Sequence, residues 1–329
     1  VCLVGADFEE NLALGILAAV VEEAGHEPMV LPFNHAADGA SRAARIMAAD
    51  PDVVGLSIQF QHRADEFLAL ALALRTAGYG GHITSGGQFP SLAYAETLER
   101  GHGVDSVVLY DGEETLADLL VALDNDTPLH EVAGLALLSD DGRAFRTAPR
   151  PLVQDLDTIP YAKRYRPHSR HMGVPFIPIA GGRGCWGGCS FCSIMTMYRD
   201  ARATGGGGKL IRWRTPRDVA GEIALLWYRA GGTGAFCFHD ENFLLPRPAA
   251  TLERLRAIRS ALDDYGVGKL SFIGKCRPDS LTAELAHELV KLDVVRLYVG
   301  VENVSESSAA HLGRGKQRES VHQALAACE

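Results

Sequence analysis

Gly181-Gly182-Arg183-Gly184-Cys185-Trp186-Gly187-Gly188-Cys189-Ser190-Phe191-Cys192 places three cysteines at C-x3-C-x2-C spacing in a glycine-rich loop. The loop follows an apolar run, residues 175–180, that reads as a strand. Thiolates bind soft metal centres, and three on one short loop can hold three irons of a cubane cluster, leaving the fourth open to a small chelating ligand. The glycines tolerate positive φ and let the backbone wrap closely round a bulky group. Other readings stay open on these residues alone. A zinc site usually wants four protein ligands, and the fourth would come from a distance, as from His168 or His171. Gly182, Gly184 and Gly187 formally spell G-x-G-x-x-G, although a cysteine triplet inside that motif is odd for a pyrophosphate cradle. Buried structural cysteines are the bland alternative.

A length of 329 residues suggests two domains with room for a third small element. A hydrophobic fraction of 47% and a charged fraction of 22% are ordinary for a folded globular chain. No apolar run approaches the roughly 18 residues that a membrane span needs. The net charge of −9 disfavours nucleic acid as the main partner. The seven cysteines form no regular framework, and an oxygen-sensitive cluster places the expected compartment in the reducing cytoplasm. No signal peptide is recognisable, and because the chain opens on Val1 its natural start is expected upstream.

Residues 1–130 alternate strand and helix patterns. Strands are predicted at 1–5, 29–33, 52–59, 82–85 and 106–110, and helices at 9–24, 41–49, 64–77, 91–100 and 115–123. This predicts a doubly wound, Rossmann-like parallel sheet with helices on both faces. Ligands of such sheets bind beyond the carboxyl ends of the strands, which here carry residues 6–11, 57–60, 85–89 and 111–114. Neither a P-loop nor G-x-G-x-x-G lies among these loops, so a nucleotide site is not expected. A doubly wound domain with turn glycines and no ligand is the alternative. Residues 131–174 read as a β-hairpin turning at residues 139–143 and then a proline-marked linker rich in arginine, a solvated segment or the rim of an anion site. From residue 175 on, four βα units are predicted, with strands at 175–180, 235–239, 270–276 and 294–301. A helix is predicted to begin within 189–198, and another to open at Thr215-Pro216 and run to about residue 230, since proline suits a first turn; the glycine run within 203–209 is expected to be mobile.

The strand followed by C-x3-C-x-aromatic-C resembles the radical S-adenosylmethionine (SAM) superfamily. The resemblance implies a [4Fe-4S] cluster on Cys185, Cys189 and Cys192, with the amino and carboxylate groups of SAM on the open iron and Phe191 near the adenine. Asp240-Glu241-Asn242, at the end of the second strand, is similar to the family's motif for the SAM ammonium group, which wants oxygen acceptors. Lys275 and Arg277, ending the third strand, are candidates to pair with the SAM carboxylate. Glu302 matches the glutamate of G-x-E-S that holds the ribose hydroxyls; Asn303 replaces the serine. Cys276 is read as a buried strand cysteine rather than a covalent participant. The family's partial barrel has six βα units, so the barrel is expected to continue past Glu329.

Three further stretches, Phe8 to Gly15, Gly86-Gly87 and Gly112-Glu113-Glu114-Thr115, resemble the cobalamin-binding domain that precedes many radical SAM barrels. With the neighbouring strand-end loops they imply cobalamin contacts from Asp7, Phe8, Glu9, Asn11, Leu12, Ser57, Gln59, Ser85, Gly86, Gly87, Gln88, Tyr110, Gly112 and Glu113. Residues near Asp7 to Glu9 or Gln59 to Arg63 are candidates to lie under the corrin. D-x-H-x-x-G is absent, so cobalt is expected to have no histidine ligand from the protein. The resemblance therefore implies a cobalamin-dependent radical SAM enzyme. The expected reaction moves a methyl group from SAM, via methylcobalamin, to an unactivated carbon or phosphorus of a small-molecule or peptide substrate. An electron donor such as a flavodoxin or ferredoxin is the expected partner. A non-methylating redox cyclisation or ring rearrangement with the same cofactors is the alternative. A sensor without turnover is a third reading, disfavoured by the carboxylates at the strand ends.

Overall fold

The structure, a computed structural model, describes residues 1–99, 101–303, 305–314 and 317–328. The chain forms two compact units. The first comprises Val1–Gln154, Ile159–Arg166 and Thr196–Gly208; the second comprises Asp155–Thr158, Pro167–Met195 and the described residues from Lys209 onward.

In the first unit β1 (Cys2–Gly5), β2 (Met29–Pro32), β3 (Val53–Ser57), β4 (His82–Gly86) and β5 (Ser106–Val108) are parallel. β6 (Leu135–Leu138) and β7 (Ala144–Arg146) continue the sheet antiparallel, giving the order β2-β1-β3-β4-β5-β6-β7. The predicted hairpin is thus a sheet edge rather than part of a linker, because Leu135, Ala136 and Leu137 are buried against its two faces. Helices α1 (Leu12–Glu23), α2 (Gly39–Ala49), α3 (Ala64–Thr76), α4 (Gln88–Leu92), α5 (Tyr94–Thr97) and α6 (Glu113–Asp124) fill the connections. Strand residues alternate between two cores: Cys2, Val4, Leu56 and Ile83 pack with Ile46 and Phe67, while Leu3, Val53 and Val108 pack with Leu14 and Leu116. Burial on both faces is what makes these strands read as apolar runs.

Two local expectations change. α1 begins at Leu12, not at residue 9, because the Asn11 side chain caps it by accepting from the backbone N–H groups of Ala13 (3.0 Å) and Leu14 (3.3 Å). The single helix expected over 91–100 is α4 and α5, broken at Ala93 (φ −122°, ψ 41°); Arg100 lies outside the described residues. The glycine run opens with a wide helical turn, Arg202–Gly206, in which Gly206 is buried while Gly205 and Gly208 are exposed; Asp200 at its entrance accepts from Tyr110 Oη (2.6 Å) and Arg146 Nη2 (2.9 Å).

In the second unit β8 (Ser169–His171) pairs antiparallel with β9 (Val174–Ile179) at one edge. A short antiparallel ribbon follows, β10 (Gly182–Arg183) with β11 (Arg212–Trp213). β12 (Ala235–Phe238), β13 (Ser271–Cys276) and β14 (Val294–Val299) join β9 as the four expected parallel strands, in the order β14-β13-β12-β9-β8. Helices α8 (Pro216–Arg229), α9 (Pro248–Asp264), α10 (Ala283–Lys291), α11 (Glu306–His311) and α12 (Gln317–Ala326) complete it, while α7 (Ser193–Ala201) begins in this unit and has its residues from Thr196 onward in the first. The predicted start of α8 holds: Thr215 Oγ1 accepts from Asp218 N (3.2 Å) and Pro216 takes the first helical position. The core lies between the sheet and α8, α9 and α10, built on Ile177, Ile179, Ile223, Phe236, Phe238 and Phe272.

All three tryptophans, Trp186, Trp213 and Trp227, belong to the second unit, so their fluorescence reports its unfolding. Phe236→Ala, at a fully buried site, is expected to destabilise that unit by about 3–5 kcal/mol. Val295→Ala, on the exposed side of β14, should stay within about 0.5 kcal/mol. Urea unfolding followed by tryptophan emission checks both; equal midpoints for the two variants would contradict this core assignment.

Candidate active site

The cysteine loop leaves the carboxyl end of β9 and is held in shape by its neighbours. Gly181 N donates to Asp240 Oδ1 (2.6 Å) and Gly184 N to Glu241 Oε2 (2.9 Å). Gly184 has φ +88°, and a Cβ there would run into Leu210 O, so only glycine fits. At the far end Ser190 N donates to Leu312 O (3.1 Å) and Ser190 Oγ to His311 O (3.0 Å), fastening the loop to the end of α11. α7 starts at Ser193, within the predicted 189–198, because residues 189–192 form the turn that presents the last thiol.

The sulfur atoms meet donors. Gly187 N lies 3.3 Å from Cys185 Sγ, and Arg277 Nη1 lies 3.1 Å from Cys189 Sγ. Burial pushes the Cys185 thiol up, while the Gly187 N–H and the Arg277 guanidinium pull it down. Among the described residues no three His, Cys, Asp or Glu side chains converge on one point, as a single ion requires. A cubane takes each thiolate on a separate iron, so three half-buried thiols on one loop, with N–H groups aimed at sulfur, fit such a cluster.

The residues expected to bind SAM separate into two groups. Asp240 and Asn242 are buried and already committed: Asp240 to Gly181, Asn242 through Nδ2 to Leu244 O (2.7 Å) and through Oδ1 to Arg277 N (3.2 Å). Burial lifts Asp240 to about 7, opposed by the Gly181 N–H and by Arg254; burial lifts Glu241 also. Asp240 and Glu241 therefore support the cysteine loop, while Asn242 ties the end of β12 to that of β13. Arg277 is likewise engaged, forked onto Asp279 through Nε (3.0 Å) and Nη2 (2.7 Å) and laid 4.7 Å over the Trp186 ring. Lys275 is exposed, its Nζ 3.5 Å from His239 O.

Phe191 and Glu302 are open to a ligand. Phe191 is 52% exposed. Glu302 sits in the left-handed region (φ +55°), uncommon for a residue with a side chain and frequent at functional sites. Sequence reading missed the group that joins them. Arg314 is buried, donates through Nη2 to Gly300 O (2.6 Å) and Glu302 Oε1 (3.2 Å), lies 6.0 Å from the Phe191 ring, and keeps Nε without a partner among the described residues. An arginine 12 residues past Glu302 carries no local signal of this role. Cys276 is buried on β13, as read from the sequence, and burial pushes its thiol up to about 12.

In the first unit the strand order reverses between β1 and β3, which places the crevice at loops 6–11 and 58–63. The predicted residues here also divide. Asp7 is buried, its N–H bonded to Asn34 Oδ1 (2.6 Å) and its carboxylate to Arg166 Nη1 (2.9 Å); burial raises it and Arg166 opposes. Asn11 is the α1 cap, and Leu12 opens that helix. Ser85 is fully buried, donating to Leu56 O (3.3 Å). Arg63 is buried beneath Phe8, Phe33 and Phe67, donating to Phe33 O (2.9 Å), so it is scaffold rather than a group facing a ligand. Tyr110 turns at φ +61° and sends its hydroxyl to Asp200.

Gly87 (φ +108°) is required by its neighbour, since a Cβ would lie 2.7 Å from Ile58 O; Gly86 ends β4 and Gln88 opens α4. Gly112 precedes α6, and Glu113 is its buried first residue. Glu9 is exposed, and Ser57 and Gln59 are half-buried. Phe8 (61%) and Phe60 (53%) stand exposed on loops 6–11 and 58–63, apolar rings open to a ligand with an apolar face such as a corrin.

The chain matches the B12 binding domain family over residues 2–120 and the Radical SAM superfamily over residues 179–329. It is 28% identical over 250 residues to the anaerobic magnesium-protoporphyrin IX monomethyl ester cyclase of Synechocystis sp., covering 74% of this chain and 46% of that one. It is 25% identical over 307 residues to an uncharacterised methyltransferase of Pyrococcus horikoshii, covering 92% and 63%. The chain thus spans between about half and two thirds of these relatives. Its fold resembles that of the radical SAM methyltransferase TsrM from Kitasatospora setae, solved with cobalamin and a [4Fe-4S] cluster (TM-score 0.73, 18% identity, 99% of this chain and 64% of that one). It also resembles the cobalamin-dependent radical SAM enzyme OxsB with aqua-cobalamin (TM-score 0.74, 19% identity, 99% and 47%). Among the described residues no helix is long and apolar enough to cross a membrane.

Asp240 yields a pH prediction. Its folded value, about 7, lies above the ordinary 3.8, so the folded protein keeps a proton that the unfolded chain releases. That stabilisation is complete below about 4 and drains away as pH rises to about 7. Asp240→Asn keeps an oxygen for Gly181 N–H and removes the titration. Its urea midpoint by tryptophan emission should fall less between pH 4 and 8 than that of the wild type. Identical pH profiles would contradict the assignment.

Proposed function

The chain belongs to the cobalamin-dependent radical SAM enzymes, with a B12-binding domain and a radical SAM domain, and from that premise we propose that it transfers methyl groups. Its cofactors are a [4Fe-4S] cluster, SAM and cobalamin. We assign Cys185, Cys189 and Cys192 to the cluster, Phe191 and Glu302 to the adenosine of SAM, and the crevice at Phe8, Gln59 and Gly87 to cobalamin. When bound, the cluster with SAM supplies a carbon-centred radical and cobalamin a transferable methyl group. The acceptor would be an unactivated carbon, or phosphorus, of a small molecule or peptide. A flavodoxin or ferredoxin in the cytoplasm would supply electrons.

The protein's own contribution is placement. Asp240 and Glu241 fix the loop that carries the three thiols beyond the carboxyl end of β9. Arg314 holds Glu302 and backs Phe191, so the ribose and adenine contacts are set before SAM arrives. Such preorganisation matters because a radical must meet its target before water or a side chain does. The observation carrying the methyl-transfer reading is the likeness to a methyltransferase across 92% of the chain. The likeness to a cyclase over 74% favours, as a second reading, redox ring closure with the same cofactors.

Anaerobically reconstituted protein, given reductant, methyl-labelled SAM and reduced cobalamin, separates the two. Methyl transfer predicts S-adenosylhomocysteine formed in proportion to cobalamin, with label in the cobalamin fraction. Deoxyadenosine release without S-adenosylhomocysteine would contradict it and favour the cyclase reading.

A further inference from the structure

The geometry points to Arg277 as a redox-tuning residue of the cluster rather than a SAM ligand. The inference rests on assigning the three thiols to the cluster. Its position is set three ways. The backbone N–H donates to Asn242 Oδ1 (3.2 Å), and the carbonyl accepts from Ser280 Oγ (2.6 Å). The Nε/Nη2 edge of the guanidinium is taken by the Asp279 carboxylate. One face lies on the Trp186 indole, from within the cysteine loop itself. What remains is Nη1, directed at Cys189 Sγ at 3.1 Å, 88 residues away in sequence. A fork already closed on one carboxylate is poorly placed to clamp a second, the carboxylate of SAM, whereas a single N–H held at sulfur is a preset donor to a thiolate.

The consequence is electrostatic. Reduction adds one negative charge to the cluster, shared with its sulfur ligands. A charge-assisted N–H···S bond stabilises that state more than the oxidised one and raises the reduction potential. Asp279 offsets part of the charge but leaves the directed N–H intact. The stack on Trp186 keeps the guanidinium plane from turning away. The indole Nε1, buried and without a hydrogen-bond acceptor among the described residues, adds a second N–H inside the loop. Arg277 is thereby a positioning and tuning residue for electron entry.

The test uses the full chain, reconstituted anaerobically without SAM, as wild type, Arg277→Gln and Arg277→Lys. Iron and sulfide are quantified first. Each loaded protein is then titrated with dithionite against mediators, following the EPR signal of the reduced cluster. Arg277→Gln should hold a cluster whose reduced-to-oxidised ratio at a fixed potential is about tenfold lower, a downward shift of about 59 mV for a one-electron couple. Arg277→Lys, which keeps the charge but not the fork, should move the same way by less. If Arg277→Gln fails to load, Arg277→Lys decides by the same reading. A loaded variant with the wild-type midpoint, as a purely structural role predicts, would overturn the inference alone. A wild type that takes up no iron and sulfide would overturn the thiol assignment, and this inference with it.

Discussion

A loop that must carry three thiols round a bulky group has few side chains left to fix its own shape, so its shape is imposed from outside. Here the imposition is made by two carboxylates at the end of the next strand, Asp240 on Gly181 N–H and Glu241 on Gly184 N–H. Burying them costs free energy, visible in the upward displacement of both groups. The cost is offset because each accepts backbone N–H groups that would otherwise lie unpaired at the strand end. The rest of the second unit follows from that clamp. Arg254 braces Gly181 O from α9 (2.9 Å), and the end of α11 holds Ser190, so βα connections far apart in sequence converge on one loop.

The first unit shows the same division between scaffold and open surface. At the order reversal between β1 and β3, the charged residues Asp7 and Arg63 are turned inward and paired, whereas Phe8 and Phe60 are left outward. A flat ligand with a large apolar face and a polar periphery suits such an edge better than a phosphate-rich one, which would want backbone N–H groups at a helix start. Gly87 illustrates the tight tolerance: at its φ of +108° a Cβ would lie 2.7 Å from Ile58 O, so only glycine fits.

How much of this could be read from residues alone depends on the range of each interaction. The alternating strand and helix pattern, the four parallel strands of the second unit and the start of α8 at Thr215-Pro216 rest on local periodicity and capping, and they were legible. The cysteine spacing was legible for the same reason. The pairing of β6 with β5 was not, because a hairpin that docks on a sheet edge has the same sequence signature as one that does not. The hydrogen bonds that commit Asp240 and Asn242 were not legible, because their backbone partners lie 59 and 35 residues away, respectively. Asn11 was read as a binding residue although an asparagine just before an apolar helix is equally a cap. Arg314 was missed because nothing in its own surroundings marks it, and only the fold brings it to Glu302 and Phe191.

The claim on which everything above depends is that Cys185, Cys189 and Cys192 together hold one four-iron cluster. The most direct measurement is iron, sulfide and EPR analysis of the anaerobically reconstituted chain beside its three single Cys→Ala variants and a Cys276→Ala control. About four irons and four sulfides per wild-type chain are expected, retained in Cys276→Ala and lost or sharply reduced in each of the other three. Full cluster content after replacing any one of the three loop thiols would contradict it.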